Sequence, residues 1–205
     1  MRPIVTAQAS TPLSLAPLLQ TAMARDENSS DRIPQAPSGA RFAFVVSEYH
    51  RDLCGAMLDS ARGILSQAGV AEDDLEVAWV PGAFELPLVA RRFARRRDIQ
   101  AVMCFGLVLT GETSHDRYVS YGATEGLLRA SFETDTPVLF GVLTCQTLEQ
   151  ARARALPVSA GGEQDKGATI ARAALGVLHA LEVADGISPM DAVGFPTGSD
   201  AEPTS

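Results

Sequence analysis

Four short apolar runs, at 42–46, 75–80, 101–105 and 138–143, recur along the chain, and each is followed by residues at helical spacing. The runs are close to unbroken. A strand with one wet face alternates apolar and polar residues, so runs like these belong to a sheet covered on both faces. Each gap carries a helical pattern, long enough for the right-handed crossover that joins parallel strands. After the first run, Leu53, Met57, Leu58, Ala61, Ile64 and Leu65 share one helix face, and Gly69 closes that helix. After the second, a helix begins at Ala83-Phe84-Glu85 and continues through Leu88, Val89 and Phe93 into Arg91-Arg92 and Arg95-Arg96-Arg97. After the third, Val119, Ala123, Leu127 and Leu128 recur behind His115. After the fourth, Thr147 caps a helix with Gln150 as its capping-box partner, ending near Arg154-Ala155. A loop over 157–164 leads to Asp165-Lys166-Gly167 and a last helix over 168–181. The order is β-α-β-α-β-α-β-α-α.

Length and composition frame this pattern. The 205 residues fit one domain with tails. Residues 1–40, rich in Ala, Ser, Thr and Pro, read as a disordered extension with a fragment of helix near 13–24. The fold proper is expected over 41–181, and 182–205 as a flexible acidic tail. The net charge is −8, of which Glu182, Asp185, Asp191, Asp200 and Glu202 supply −5. That balance argues against a nucleic-acid partner, so the arginine run reads as a solvated helix face whose last turn complements the dipole. Cys54, Cys104 and Cys145 are widely spaced with no CxxC pair, and read as buried reduced thiols rather than a zinc site or disulfides. No apolar run approaches membrane-spanning length. Residues 1–24 lack a continuous signal segment, and an organelle-type leader stays open. The expected setting is cytoplasmic, with no membrane partner.

Ligands in open parallel sheets bind beyond the carboxyl ends of the strands. Four loops leave those ends, at 47–50, 81–85, 107–115 and 144–147. The third holds Thr110-Gly111-Glu112-Thr113-Ser114 and then His115, where a helix opens. Its backbone N–H groups and helix dipole offer an anion pocket. His115, one of 3 histidines, is a proton carrier beside it. Tyr49 can stack on a flat heterocycle or pack in the core. Gly82 permits a sharp turn, Phe84 adds a second flat surface, and Glu85 can accept hydrogen bonds or simply complement a helix start. Lys166, the only lysine among 17 basic residues, reads as a point-charge phosphate contact or as an ordinary surface lysine. Arg154 can clamp a phosphate with its forked guanidinium, with Arg152 as its competitor.

Taken together, Tyr49-His50, the segment from Val80 to Pro87, Gly111-Glu112-Thr113-Ser114-His115, Phe140-Gly141-Val142-Leu143-Thr144, Glu149-Gln150-Ala151 with Arg154-Ala155, and Asp165-Lys166-Gly167 resemble the lumazine synthases of riboflavin biosynthesis. Tyr49-His50 and the longer loop before Asp165 look most like actinobacterial members. The resemblance implies a three-layer α-β-α sandwich around a four-stranded, mostly parallel, flavodoxin-like sheet. It implies condensation of 5-amino-6-(D-ribitylamino)uracil with 3,4-dihydroxy-2-butanone 4-phosphate to 6,7-dimethyl-8-ribityllumazine, phosphate and water, with no metal or redox cofactor. It places the pyrimidine against Tyr49, and Ala83, Phe84 and Glu85 around the pyrimidine and its ribityl chain. Leu107, Val108 and Leu109 run along the base, and Glu112 and Thr113 meet the phosphate. His115 carries the proton. Phe140 and Arg154 arrive from a neighbouring subunit, with Lys166 nearby, so a homopentamer is implied, and in some members a shell of twelve pentamers. Three positions depart from the family pattern: Thr110 stands where many members carry Arg, His50 where Asn is frequent, and Glu112 brings a carboxylate to the phosphate. The alternative is a protein of this fold that binds lumazine or flavin without turnover, or that serves only as a shell.

Overall fold

The computed structural model describes residues 33–186. The expected helix fragment near 13–24 and the acidic tail beyond Gly186 lie outside the described residues. The four strands are β1 (Phe42–Ser47), β2 (Leu75–Val80), β3 (Ala101–Leu109) and β4 (Val138–Cys145). The helices are α1 (Arg51–Gln67), α2 (Leu86–Ala94), α3 (His115–Thr134), α4 (Leu148–Ala155) and α5 (Lys166–Ala184). The sheet order is β2-β1-β3-β4 and every pair is parallel.

Both faces of the sheet are covered, as the unbroken apolar runs require. Phe42, Phe44, Val46, Met103, Phe105 and Leu107 point to the face packed by α1, α4 and α5. Ala43, Val45, Val102, Cys104 and Val108 point to the face packed by α2 and α3. The alternation is the two-residue strand period acting on a sequence apolar at both parities. Cys54, Cys104 and Cys145 are free and buried.

Several boundaries differ from the sequence expectation. β3 runs on to Leu109, because Leu107, Val108 and Leu109 pair with Leu143, Thr144 and Cys145. The long third loop therefore shrinks to Thr110–Ser114. α2 stops at Ala94, so Arg95, Arg96 and Arg97 lie beyond the helix rather than on its face. Ile33–Ala40, expected as the end of the extension, lie against the fold. Ile33 and Ala36 pack on the core, Ala40 is buried, and the Ala36 N–H donates to the Ala68 carbonyl at 3.0 Å. α5 continues to Ala184. By length and apolarity α5 could cross a membrane, contrary to the expectation that no run approaches a span. Its inner face, with Ile170, Ala171, Ala174, Leu175 and Leu178, belongs to the core.

Arg96 has a structural task instead of an exposed one. It donates to Glu76 at 2.7 Å and to Asp98 at 2.7 Å, and Arg41 pairs with the same two carboxylates at 3.0 and 2.7 Å. The cluster ties the amino ends of β1 and β2 to the turn before β3. Hydrogen bonding from Arg96 is the main cause holding both the Glu76 and Asp98 carboxyls below their ordinary values of 4.5 and 3.8. Both therefore titrate lower in the folded protein than in the unfolded chain. The stability they contribute is complete above those ordinary values and disappears as pH falls through the lower folded ones. Arg96→Met is expected to lower Tm near neutral pH, with a deficit that shrinks below about pH 4 and in high salt. Thermal melts across pH check this, and a deficit unchanged from neutral to acid pH would exclude the charge pairing as its source.

Candidate active site

Three strand-to-helix corners build one cavity at the carboxyl end of the sheet. At the first, β1 ends on Ser47 and His50 takes a left-handed conformation, φ 56°. For a residue with a Cβ this costs about 1 kcal/mol. It turns the chain into α1, and the His50 carbonyl accepts the N–H groups of Leu53 and Cys54. Tyr49 is left 64% exposed at the cavity wall, its ring 4.5 Å from that of His50 and edge-on.

At the second corner, Pro81-Gly82 lead into a single turn, Ala83–Glu85, and then α2. Gly82 has φ −151°, an extended conformation open to any residue, so the sharp turn expected of it is not its task. A Cβ there would lie 3.1 Å from Glu85 Oε2. The glycine the corner needs is Gly106 on β3. A Cβ on it would meet Leu86 Cδ1 at 3.1 Å and Ala83 Cβ at 3.3 Å, so bare backbone lets the turn settle on the sheet. Phe84 is 61% exposed. The edge of its ring rests on Gly122 of α3, where a Cβ would come within 2.6 Å.

The third corner is Thr110–Ser114. The Thr110 N–H donates to the Cys145 carbonyl at 2.9 Å, which pins the loop to the end of β4. α3 then opens at His115 with no side-chain cap from Ser114. The only side-chain acceptor near its start is Thr113 Oγ1, 3.5 Å from the His115 nitrogen. The Arg117 N–H donates to the Ser114 carbonyl at 3.2 Å, which leaves the Asp116 N–H as the group of the first turn open to an anion.

The cavity measures about 850 Å³ and brings together Tyr49, Ala83, Phe84, Glu85, Leu107, Val108, Leu109, Thr113 and His115. Its walls are mostly aromatic and aliphatic, with the carboxylates of Glu85 and Asp116, the hydroxyls of Tyr49, Thr113 and Tyr118 and the imidazole of His115 among them, the composition of a small-molecule site. Asp116, Tyr118 and Val119 also line it and were not singled out as site residues. The signal was present: once a helix begins at His115, the residues three and four further on share its face.

Four of the expected residues do not line this cavity. Glu112 is exposed on the loop beside it. Phe140 pairs in register with Cys104, whereas the lining residues Leu107–Leu109 pair with Leu143–Cys145. At about 3.3 Å per residue, Phe140 sits well down the edge strand, 38% exposed. Arg154 lies in the last turn of α4, donating to the Gln150 carbonyl at 2.9 Å. Lys166 opens α5, where Gly167 presses on α1 so closely that a Cβ would strike the Met57 carbonyl. Phe140 and Arg154 belong to β4, the free edge of the sheet, and to the helix that follows it.

A family model described as 6,7-dimethyl-8-ribityllumazine synthase matches residues 39–182, every strand and helix from β1 through most of α5. The chain belongs to the lumazine synthase family. A 6,7-dimethyl-8-ribityllumazine synthase from Syntrophus aciditrophicus is 44% identical over 117 residues, covering 57% of this chain and 76% of that relative. The family assignment covers all three corners and the flavodoxin-like strand order that joins them.

The helix carrying Arg154 depends on its start. Thr147 Oγ1 accepts the Gln150 N–H at 3.3 Å, as expected. The return bond from Gln150 Oε1 goes to the Gln146 N–H at 3.0 Å, one residue earlier than a capping box places it. Thr147→Ala is expected to cost about 1 kcal/mol of stability. Urea denaturation measures it, and an unchanged midpoint would mean that the cap contributes nothing.

Proposed function

We propose that this chain is an active lumazine synthase, joining 5-amino-6-(D-ribitylamino)uracil to 3,4-dihydroxy-2-butanone 4-phosphate with release of phosphate and water. The observation that carries the reading is that His115, two exposed rings and the uncapped start of α3 share one cavity. The pyrimidine lies against Tyr49, with Phe84, Ala83 and Glu85 around it and its ribityl chain, and with Leu107, Val108 and Leu109 along the base. The phosphate meets Thr113 and the open Asp116 N–H at the start of α3, with Glu112 contributing backbone rather than carboxylate. An amine adds to a ketone, water leaves, phosphate is eliminated and the ring closes. Each step moves a proton, and one imidazole can give and take it. Holding both substrates together removes much of the remaining barrier. The balance of bonds needs neither oxidant nor reductant. The free thiols of Cys54, Cys104 and Cys145 support a reducing, cytoplasmic setting.

The assembly follows from what one chain leaves bare. Phe84, Leu88, Tyr118, Tyr121, Leu128 and Phe132 are each more than half exposed, on α2, α3 and the turn before α2. Apolar surface of this extent marks an interface. A second copy laying its β4 edge against this face would bring Phe140 and Arg154, with Lys166 nearby, to a cavity they do not reach within one chain. A closed ring of such head-to-tail contacts is the proposed homopentamer, which can build into a shell.

The direct test is incubation with both substrates while following lumazine fluorescence, with sedimentation of the same sample. Product formed by a pentamer or shell supports the reading, and an inert protein rejects it. His115→Ala is expected to lower kcat by about ten- to a thousandfold with little change in substrate binding; wild-type kinetics would remove His115 from the chemistry. Mixing inactive His115→Ala and Arg154→Ala subunits is expected to restore about a quarter of wild-type activity, since that share of interfaces regains both groups. Activity no higher than that of either parent would place the whole site within one chain.

A further inference from the structure

Ser47 is the one buried polar side chain among the described residues, at 0% exposure. It ends a strand whose other members are all apolar. A hydroxyl in such a place is costly unless it is hydrogen-bonded, and both its bonds go to a single residue. Ser47 Oγ accepts the Tyr49 N–H at 3.1 Å and donates to the Tyr49 carbonyl at 3.3 Å. The same carbonyl accepts the thiol of Cys54 at 3.6 Å. Burial, with the nearby Asp52 charge, pushes the Cys54 thiol up to about 12, so it stays a donor at working pH. On one side the Glu48 N–H is tied to the Val80 carbonyl at 2.7 Å, and on the other the His50 carbonyl is held by α1. The Tyr49 ring, by contrast, is mostly exposed, with the His50 ring edge-on beside it. The point and direction at which the side chain leaves the backbone are therefore set by these bonds.

We infer that Ser47 and Cys54 are positioning residues that clamp the peptide groups of Tyr49, fix where its side chain leaves the backbone at the cavity wall, and so set the affinity for the planar substrate without touching it. The inference rests on the reading that the pyrimidine lies against Tyr49. Neither residue faces the cavity, and neither takes part in proton transfer. Their effect belongs to binding of one substrate, which separates it from a general contribution to stability.

The test titrates wild type and variants with 5-amino-6-(D-ribitylamino)uracil alone, and then measures steady-state kinetics against each substrate. Losing the Ser47 hydroxyl is expected to weaken pyrimidine binding about tenfold in Ser47→Ala. The KM for the pyrimidine should rise in step while kcat and the KM for the phosphate substrate stay put. Cys54→Ala should shift it in the same direction by less, and Cys54→Ser, which restores a donor, should recover it. In a Tyr49→Ala background Ser47→Ala should have no further effect on binding. A lower Tm with unchanged pyrimidine affinity would overturn the clamp, as would equal rises in both KM values or an undiminished Ser47→Ala effect without the Tyr49 ring. If Ser47→Ala fails to fold, the two Cys54 variants decide alone. A wild-type protein that does not bind the pyrimidine would instead reject the functional reading itself.

Discussion

The pairing of β1 with β3 is the constraint from which the rest of the molecule follows. The chain leaves β1, runs out to β2, and returns across β1 to reach β3. The crossovers that leave this pair in opposite directions, β1 to β2 and β3 to β4, put α1 on one face of the sheet and α3 on the other. The loops that feed them diverge, and a crevice opens between them at the carboxyl ends of the strands. Tyr49 stands on the loop after β1 and His115 on the loop after β3. Tyr49 and His115 thus line one cavity because two parallel strands are neighbours in space but not in sequence.

Close approach of backbone sharpens that crevice. Gly106 lets the Ala83–Glu85 turn lie on β3, and Gly122 lets the Phe84 ring rest on α3. On the opposite face Gly167 brings α5 against the α1 carbonyls. These contacts hold the elements close together, while Tyr49 and Phe84 on the cavity wall stay exposed. The clamp on Tyr49 is built in the same way, with polar groups buried beneath a ring that is itself free.

The edge strand carries a different burden. β4 pairs on one side only, and Phe140 and Arg154 lie on or beyond that open edge. The outer surface of α3 exposes Tyr118, Tyr121 and Phe132. On the proposed reading, a second copy supplies what one chain keeps away from its own cavity. Glu112, Thr110 and His50, the three departures from the family pattern, all lie on loops at the cavity end, where they can alter affinity without touching the core.

Much of this was legible in the residues. Runs apolar at both parities demand burial on two faces, and helical gaps between them demand parallel strands, so the sheet and its layers followed from periodicity alone. The end of the sheet that holds the cavity also followed, because a parallel sheet sends all its carboxyl-end loops to one side, whereas Leu107–Leu109 were expected from the family resemblance and Asp116, Tyr118 and Val119 were not expected as lining. What remained hidden depended on partners distant in sequence. The extra length of β3 exists because Leu107–Leu109 find Leu143–Cys145 beside them, and the end of α2 at Ala94 frees Arg96 to reach Glu76. That Phe140 and Arg154 do not line the cavity within one chain was expected only from the family resemblance, and its physical cause is register and edge position. Local spacing specifies which segments become strands and helices, since that choice rests on short-range burial and backbone preference. Which side chains finally meet is decided by the sheet order, and only the folded molecule fixes it.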